Sequence, residues 1–153
     1  MARKSAGLLM YRKNEQGNPE FFLVHMGGPF WAKKDKGAWT IPKGEYEPDQ
    51  DSLEAAKREF KEETGFNAEG EFIELTPVKQ SGGKEVCAWA FKGNADPDEI
   101  QSNTFEMEWP PKSGKKQKFL EVDKAGWFSP DKAKEKIIKA QQAFVDELLA
   151  KLK

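Results

Sequence analysis

The chain has 153 residues, the length of one domain, and carries 25 basic against 26 acidic side chains for a net charge of −1. That balance excludes a strongly basic nucleic-acid-coating protein and an acidic disordered tail. Only 37% of residues are apolar, yet eleven Phe and five Trp supply core area that disordered chains lack. Cys87 is the single cysteine, which excludes an internal disulfide and fits a reducing compartment. No run approaches the ~20 apolar residues of a membrane helix. The apolar residues 8–11, flanked by Arg3, Lys4 and Arg12, are too few for a signal-peptide core. A soluble, cytoplasmic protein is expected.

Residues 5–12 and 21–26 are apolar runs separated by polar residues 14–19, which predicts a β-hairpin. Gly27-Gly28-Pro29 breaks the second strand. Residues 30–36 follow as a loop with two aromatics and three lysines. Residues 38–41 predict a short strand that Pro42 ends, and acidic residues 45–51, with Pro48, predict a loop. Asp51 or Ser52 can cap a helix running to about Thr64, where Gly65 suits the stop. Strands are predicted over 72–78, 85–91, 104–109 and 125–128. Ser81-Gly82-Gly83-Lys84 is a turn without the spacing of a phosphate loop. Ser129-Pro130-Asp131 opens a further helical stretch. The last helix, 140–152, repeats apolar residues at Phe144, Leu148, Leu149 and Leu152. Strands mixed with two or three helices define an α/β or α+β domain.

The predicted helix after Asp51 carries the chemistry. With Glu59 at zero on a helical wheel, Glu62 and Glu63 fall at about −60° and +40°, so three carboxylates share one stripe. Ala55 lies under that stripe and leaves it open. Leu53, Ala56 and Phe60 form a neighbouring apolar stripe suited to a sheet, while Glu54, Lys57 and Lys61 point to solvent. Two like charges ~6 Å apart at an effective dielectric of ~20 repel by roughly 3 kcal/mol. Arg58, four residues from both Glu54 and Glu62, offsets part of this. A divalent metal held by hard oxygen ligands, Mg²⁺ or Mn²⁺, can offset the rest. A solvated acidic helix face is the plainer alternative.

Residues 44–66 read GEYEPDQDSLEAAKREFKEETGF. They resemble the Nudix box, the signature of Nudix (MutT-type) hydrolases, matching it at Gly44, Arg58, Glu59, Phe60, Glu62, Glu63, Gly65 and Phe66. Six of those eight positions demand one residue type. At ~7% each, a chance match per window is on the order of one in ten million. The resemblance extends over residues 5–150. It implies one Nudix domain over residues 1–153, an α+β fold in which a mixed β-sheet lies between helices as an α/β/α sandwich. It also implies a pyrophosphohydrolase that uses Mg²⁺ or Mn²⁺ to cleave a nucleoside diphosphate linked to another moiety. Glu59, Glu62 and Glu63 then map onto the metal-binding glutamates. The backbone carbonyl of Lys43 or Gly44 is a further ligand, and Arg58 orients a glutamate. The catalytic base is Glu62 or, outside the box, Glu106 or Glu108, which share one face of a strand. The sequence departs from the box at Gln50, where a glutamate that supports the metal site is expected. Gln50 offers an amide oxygen but no charge.

Pro42-Lys43-Gly44 at the entry to the box resembles the branches acting on dinucleoside polyphosphates and diphosphoinositol polyphosphates, with Lys43 meeting an extra phosphate. Trp109-Pro110-Pro111 is rigid and is followed by Lys112, Lys115, Lys116 and Lys118. This segment reads either as a lid bringing Trp109, Lys112 and Lys115 to a phosphate-rich substrate, or as a solvated hairpin loop. Phe30 and Trp31, with Lys33, Lys34 and Lys36, form a second loop of the same kind. His25, Cys87, Trp89 and Trp127 read as packed residues. The favoured substrate is a dinucleoside polyphosphate or similar small polyphosphate. An RNA 5′-end pyrophosphohydrolase and a non-catalytic nucleotide-binding module are the alternatives. The expected partner is a small phosphorylated molecule, with neither membrane nor nucleic acid, and the oligomeric state stays open. The net charge conceals a segregation. Residues 44–66 hold eight acidic and three basic side chains, whereas residues 109–119 hold four lysines and no acid.

Overall fold

The computed structural model describes residues 4–152. β1 (Lys4–Lys13) and β2 (Pro19–Met26) form the expected hairpin, with Tyr11 opposite Phe21 and Lys13 opposite Pro19. Asn14 closes the turn, its Oδ1 accepting from the backbone N–H of Gln16 and of Asn18, each at 3.0 Å. These strands are apolar on both faces because both faces are covered. Ala6, Leu8, Met10, Phe22 and Val24 pack on one side with Ala55, Ala56 and Phe60. Leu9, Phe21 and Leu23 pack on the other with Ile137, Phe144, Val145 and Leu148. The period of two thus feeds two cores from one pair of strands.

Five more strands complete the sheet: β3 (Trp39–Thr40), β4 (Lys43–Glu45), β5 (Ile73–Lys79), β6 (Glu85–Lys92) and β9 (Val122–Phe128). The order is β3-β2-β1-β6-β5, with β4 also on β1 and β9 also on β2. β1 and β6 run parallel and the other pairs antiparallel. α1 (Ser52–Thr64) packs on one face; α2 (Pro130–Lys136) and α3 (Gln142–Lys151) contribute to the core on the other. This is the expected mixed sheet between helices. β7 (Thr104–Glu108) and β8 (Lys116–Leu120) form a separate antiparallel ribbon. No helix among the described residues is long and apolar enough to cross a membrane.

Four expectations are corrected. Pro42 is expected to end a strand and Glu45 to open a loop, but residues 43–45 form β4, because β1 supplies backbone partners from Ser5 to Gly7. β8 was expected as a basic, flexible stretch. Its register against β7 makes it a strand although most of its side chains are exposed. β9 begins at Val122, three residues before the expected start, and α3 begins at Gln142, after a tight turn at residues 139–141. Ala55, on the same stripe as the carboxylates, is buried against the sheet.

Buried Gln141 links the last helical region to the strand before the box. Its Oε1 accepts from Ile41 N–H at 3.0 Å and from Thr40 Oγ1 at 3.1 Å. Its Nε2 donates to Gln80 Oε1 at 2.9 Å. Leu8 N–H then donates to the Pro42 carbonyl at 3.1 Å. Pro42 and Lys43 are therefore fixed from two sides.

Candidate active site

α1 starts where Asp51 Oδ2 accepts from Glu54 N–H at 3.0 Å and stops at Gly65, whose φ of 84° fits the left-handed helix end. Phe60 anchors it, meeting Phe91 at 5.4 Å and Phe22 at 6.5 Å between ring centroids. With the apolar face so fixed, Glu59 and Glu63 point toward β4, and Glu62 stays beside Arg58.

Each glutamate is held differently. Glu63 is buried, and its Oε1 accepts from Lys43 N–H at 3.2 Å. Burial pushes its carboxyl up to about 8 against the pull of the Lys43 ammonium and amide, and the charges of Glu121 and Glu59 push the same way. Glu59 sits against Gly44. A Cβ on Gly44 would fall inside the Glu59 carboxylate, so glycine at this position makes the cradle. Burial and then the charge of Glu62 raise the Glu59 carboxyl above its ordinary range, opposed by Arg58. Arg58 Nη2 donates to Glu59 Oε1 at 3.3 Å, and its Nε lies 3.9 Å from Glu62 Oε1. Arg58 therefore spans two carboxylates. Its other predicted partner, Glu54, pairs instead with Lys57 at 3.6 Å.

The Lys43 side chain reaches into the same cluster. Burial, then nearby Lys84, lower its ammonium, while Glu63, Glu45 and Glu59 act to raise it. Gln50 takes no part there. It is exposed, and its Oε1 accepts from Glu47 N–H at 2.9 Å across a loop turn.

A fourth carboxylate, absent from the sequence reading, is Glu121. Asn103 N–H donates to the Glu62 carbonyl at 3.0 Å, Glu121 N–H donates to the Asn103 carbonyl at 2.9 Å, and Gly27 N–H donates to the Glu121 carbonyl at 2.9 Å. This chain of backbone bonds sets Glu121 beside α1. Burial and then the charge of Glu62 raise its carboxyl. Glu106 and Glu108 are exposed on β7, opposite Lys118 and Lys116. The neighbouring carboxylates that act on Glu59 and Glu63 are Glu62, Glu121 and each other. The only sequence signal for Glu121 is its place as the acid just before β9, between apolar Leu120 and Val122.

The two aromatic–lysine loops meet. Phe30 and Trp109 contact edge to face, 5.5 Å between centroids, and Phe105 of β7 lies over Gly28. Buried His25 fastens the first loop. Its Nδ1 lies 2.7 Å from Asp123 Oδ1 and its Nε2 lies 2.6 Å from the Lys34 carbonyl oxygen. His25 is thus a packed residue, as expected. Cys87 is half-buried, 3.7 Å from the Tyr46 hydroxyl. Trp89 and Trp127 pack against the α1-side core.

A family model described as the NUDIX domain matches residues 1–148, and the chain belongs to the Nudix family. A bis(5′-nucleosyl)-tetraphosphatase (asymmetrical) of Caenorhabditis elegans is 35% identical over 115 residues, 71% of this chain and 78% of that protein. The mouse protein of the same name is 33% identical over 100 residues, 58% of this chain and 64% of its own. A crystal structure of a C. elegans Ap4A hydrolase binary complex matches with a TM-score of 0.71 and 27% identity, covering 99% of this chain and 98% of that one.

Nudix hydrolases generally use a divalent metal. Among the described residues, no three Asp, Glu, His or Cys side chains are grouped tightly enough to hold one as they stand. The donor chemistry nonetheless fits. Glu59, Glu63 and Glu121 present hard oxygens whose ionised forms are disfavoured by burial and mutual repulsion, and a cation would relieve both.

Proposed function

We propose that this protein is an Mg²⁺- or Mn²⁺-dependent pyrophosphohydrolase that cleaves dinucleoside polyphosphates. The observation that carries the reading is the cradle itself: Glu59 seated against Gly44, Glu63 on the Lys43 amide, and Glu121 linked to Glu62 through the backbone of Asn103. The names of the similar proteins supply the substrate class. Glu59 and Glu63 would hold the metal, with whichever of Glu62 and Glu121 does not act as the base, and the Lys43 or Gly44 carbonyl, as further donors. When bound, the metal activates water and neutralises phosphate oxygens.

The chain's own residues do the rest. Arg58 keeps Glu59 and Glu62 oriented. Glu62 or Glu121, both solvent-accessible and close enough to influence each other, takes the proton from the attacking water, a role for which Glu106 and Glu108 are poorly placed. Lys43 offers a cation at the cradle's edge, and Trp109, Lys112 and Lys115 meet the remainder of the substrate. Residues 1–153 act as one domain.

The test is incubation with Mg²⁺ or Mn²⁺ and diadenosine polyphosphates, nucleoside triphosphates, ADP-ribose or nucleotide sugars, with products read by chromatography. Turnover strongest on a diadenosine polyphosphate is expected. No turnover of any substrate, together with no metal binding, would sink the reading.

A further inference from the structure

Among the described residues, Phe30 is the most exposed large hydrophobic side chain, at 60%. Adjacent Trp31 packs instead against the core on the α2–α3 side, with the Lys34 ammonium 5.3 Å from its ring centre. The loop therefore turns one aromatic inward and leaves the other in water. Phe30 meets Trp109 edge to face and still keeps most of its surface in water. Trp109 is held by its backbone. Its N–H donates to the Lys115 carbonyl at 3.0 Å, and Gln117 Nε2 donates to its carbonyl at 2.8 Å. Trp39 and Trp127 donate their indole N–H to protein acceptors, whereas that of Trp109 has no acceptor among the described residues. Lys33 lies on the loop of Phe30, and Lys112, Lys115 and Lys116 follow Trp109 in the chain, all exposed and without an ion pair among the described residues.

The backbone fixes how far this cluster lies from the carboxylates. Gly27 is bonded to Glu121, and Phe30 is three residues further on, at most ~11 Å along the chain. Trp109 lies opposite Lys115, six residues before Glu121, about 20 Å along an extended strand. Both paths keep the aromatic pair within about 20 Å of Glu121. A nucleoside at the far end of several phosphates can reach across that span.

We infer that Phe30 and Trp109 form a nucleobase-stacking subsite for the end of the substrate farthest from the cleaved bond, with Lys112, Lys115 and Lys33 meeting the phosphates between. This deepens the dinucleoside polyphosphate reading and rests on it. Aromatic faces bind bases with little regard to identity, and free lysines supply charge without fixed geometry. The subsite therefore selects for a second base and a long phosphate chain rather than for one nucleotide.

Diadenosine tetraphosphate and adenosine 5′-tetraphosphate differ by one nucleoside at the distal end. The wild-type protein is expected to favour the first in kcat/KM. Phe30→Ala and Trp109→Ala are expected to cut that preference about tenfold, within the range for a base–aromatic stack, through KM for the dinucleotide. Trp109→Phe, which keeps an aromatic face, is expected to retain most of it. Circular dichroism confirms that each variant folds. An unchanged preference, or equal losses on both substrates, overturns the subsite. If the wild type cleaves neither substrate, the dinucleoside polyphosphate reading fails on its own. Metal-free adenosine binding then decides the subsite: tryptophan quenching that Trp109→Phe and Phe30→Ala both diminish supports it, and no quenching overturns it.

Discussion

Glu59 and Glu63 project from a helix whose other face is locked into the core by Phe60, so their carboxylates are placed by packing. Trp109 and the lysines around it sit on a two-stranded ribbon outside the main sheet, and they are placed by a few tethers at Gly27, His25 and Gln117. The first region concentrates like charge where water is scarce, and its carboxyls are pushed upward as a result. The second spreads lysines in water, where solvent screens them. Chemistry at the cradle needs position and charge that burial makes unfavourable. Capture at the hairpin needs only reach, and a tethered ribbon supplies it at little energetic cost.

The largest expected effect comes from removing charge at the cradle. Glu63→Gln keeps an acceptor for the Lys43 N–H but deletes the carboxylate, and it should lower kcat by more than about 100-fold, beyond what loss of an outer-shell partner costs. The metal-free fold should respond in the opposite direction. The Glu63 carboxyl moves from its ordinary 4.5 to about 8 on folding, so between those values the folded chain holds a proton that the unfolded chain has lost. This contribution to stability is therefore largest below pH 4.5 and declines as pH rises to about 8. Glu63→Gln should flatten that decline and raise Tm near pH 8 in chelator. A thermal melt series with the same pH slope in both proteins would contradict it.

Gly44→Ala separates position from charge. The atoms nearest the added methyl group are those of the Glu59 carboxylate, so Glu59 must swing away while the backbone stays. Activity should fall on the order of 10–100-fold, as when a supporting group of a metal site is lost, with Tm nearly unchanged. A parallel loss of stability would show that Gly44 serves the fold instead.

At the tethers the balance reverses. His25→Ala leaves the Asp123 carboxylate and Lys34 carbonyl without their buried partner and should cost about 2–4 kcal/mol in chemical denaturation. Its effect on catalysis should fall mainly on KM, since the loop bearing Phe30 loosens while α1 does not move.

The same contrast explains what the sequence disclosed. Residues 44–66 form one continuous helix-bearing stretch, so the spacing of Arg58, Glu59, Glu62 and Glu63 translates directly into a shared face. The hairpin of β1 and β2 was equally legible from its turn chemistry. Glu121 was not, because only backbone bonds through Asn103 and Gly27, separated by 18 and 94 positions from it, bring it to α1. β4 and β8 escaped notice because three residues show no period and exposed lysines suggest a loop. The meeting of Phe30 with Trp109 is likewise long-range, although each loop's composition marked it as a separate site.

The smallest effect is expected where the box departs from its family pattern. Gln50 is exposed and uses its amide oxygen to accept from Glu47 N–H, closing the turn that leads into the helix cap at Asp51. A glutamate there can accept the same bond, so Gln50→Glu should change Tm by no more than an ordinary surface substitution, within ~0.5 kcal/mol. It also adds one negative charge to an already acidic loop. At low ionic strength this should improve metal affinity modestly, and the gain should shrink as salt rises. Titration of Mn²⁺ at two salt concentrations measures both quantities. A gain of 100-fold that persists in high salt would mean that residue 50 reaches the cradle and becomes a ligand, and that the loop of residues 46–50 belongs with the packed region of the site.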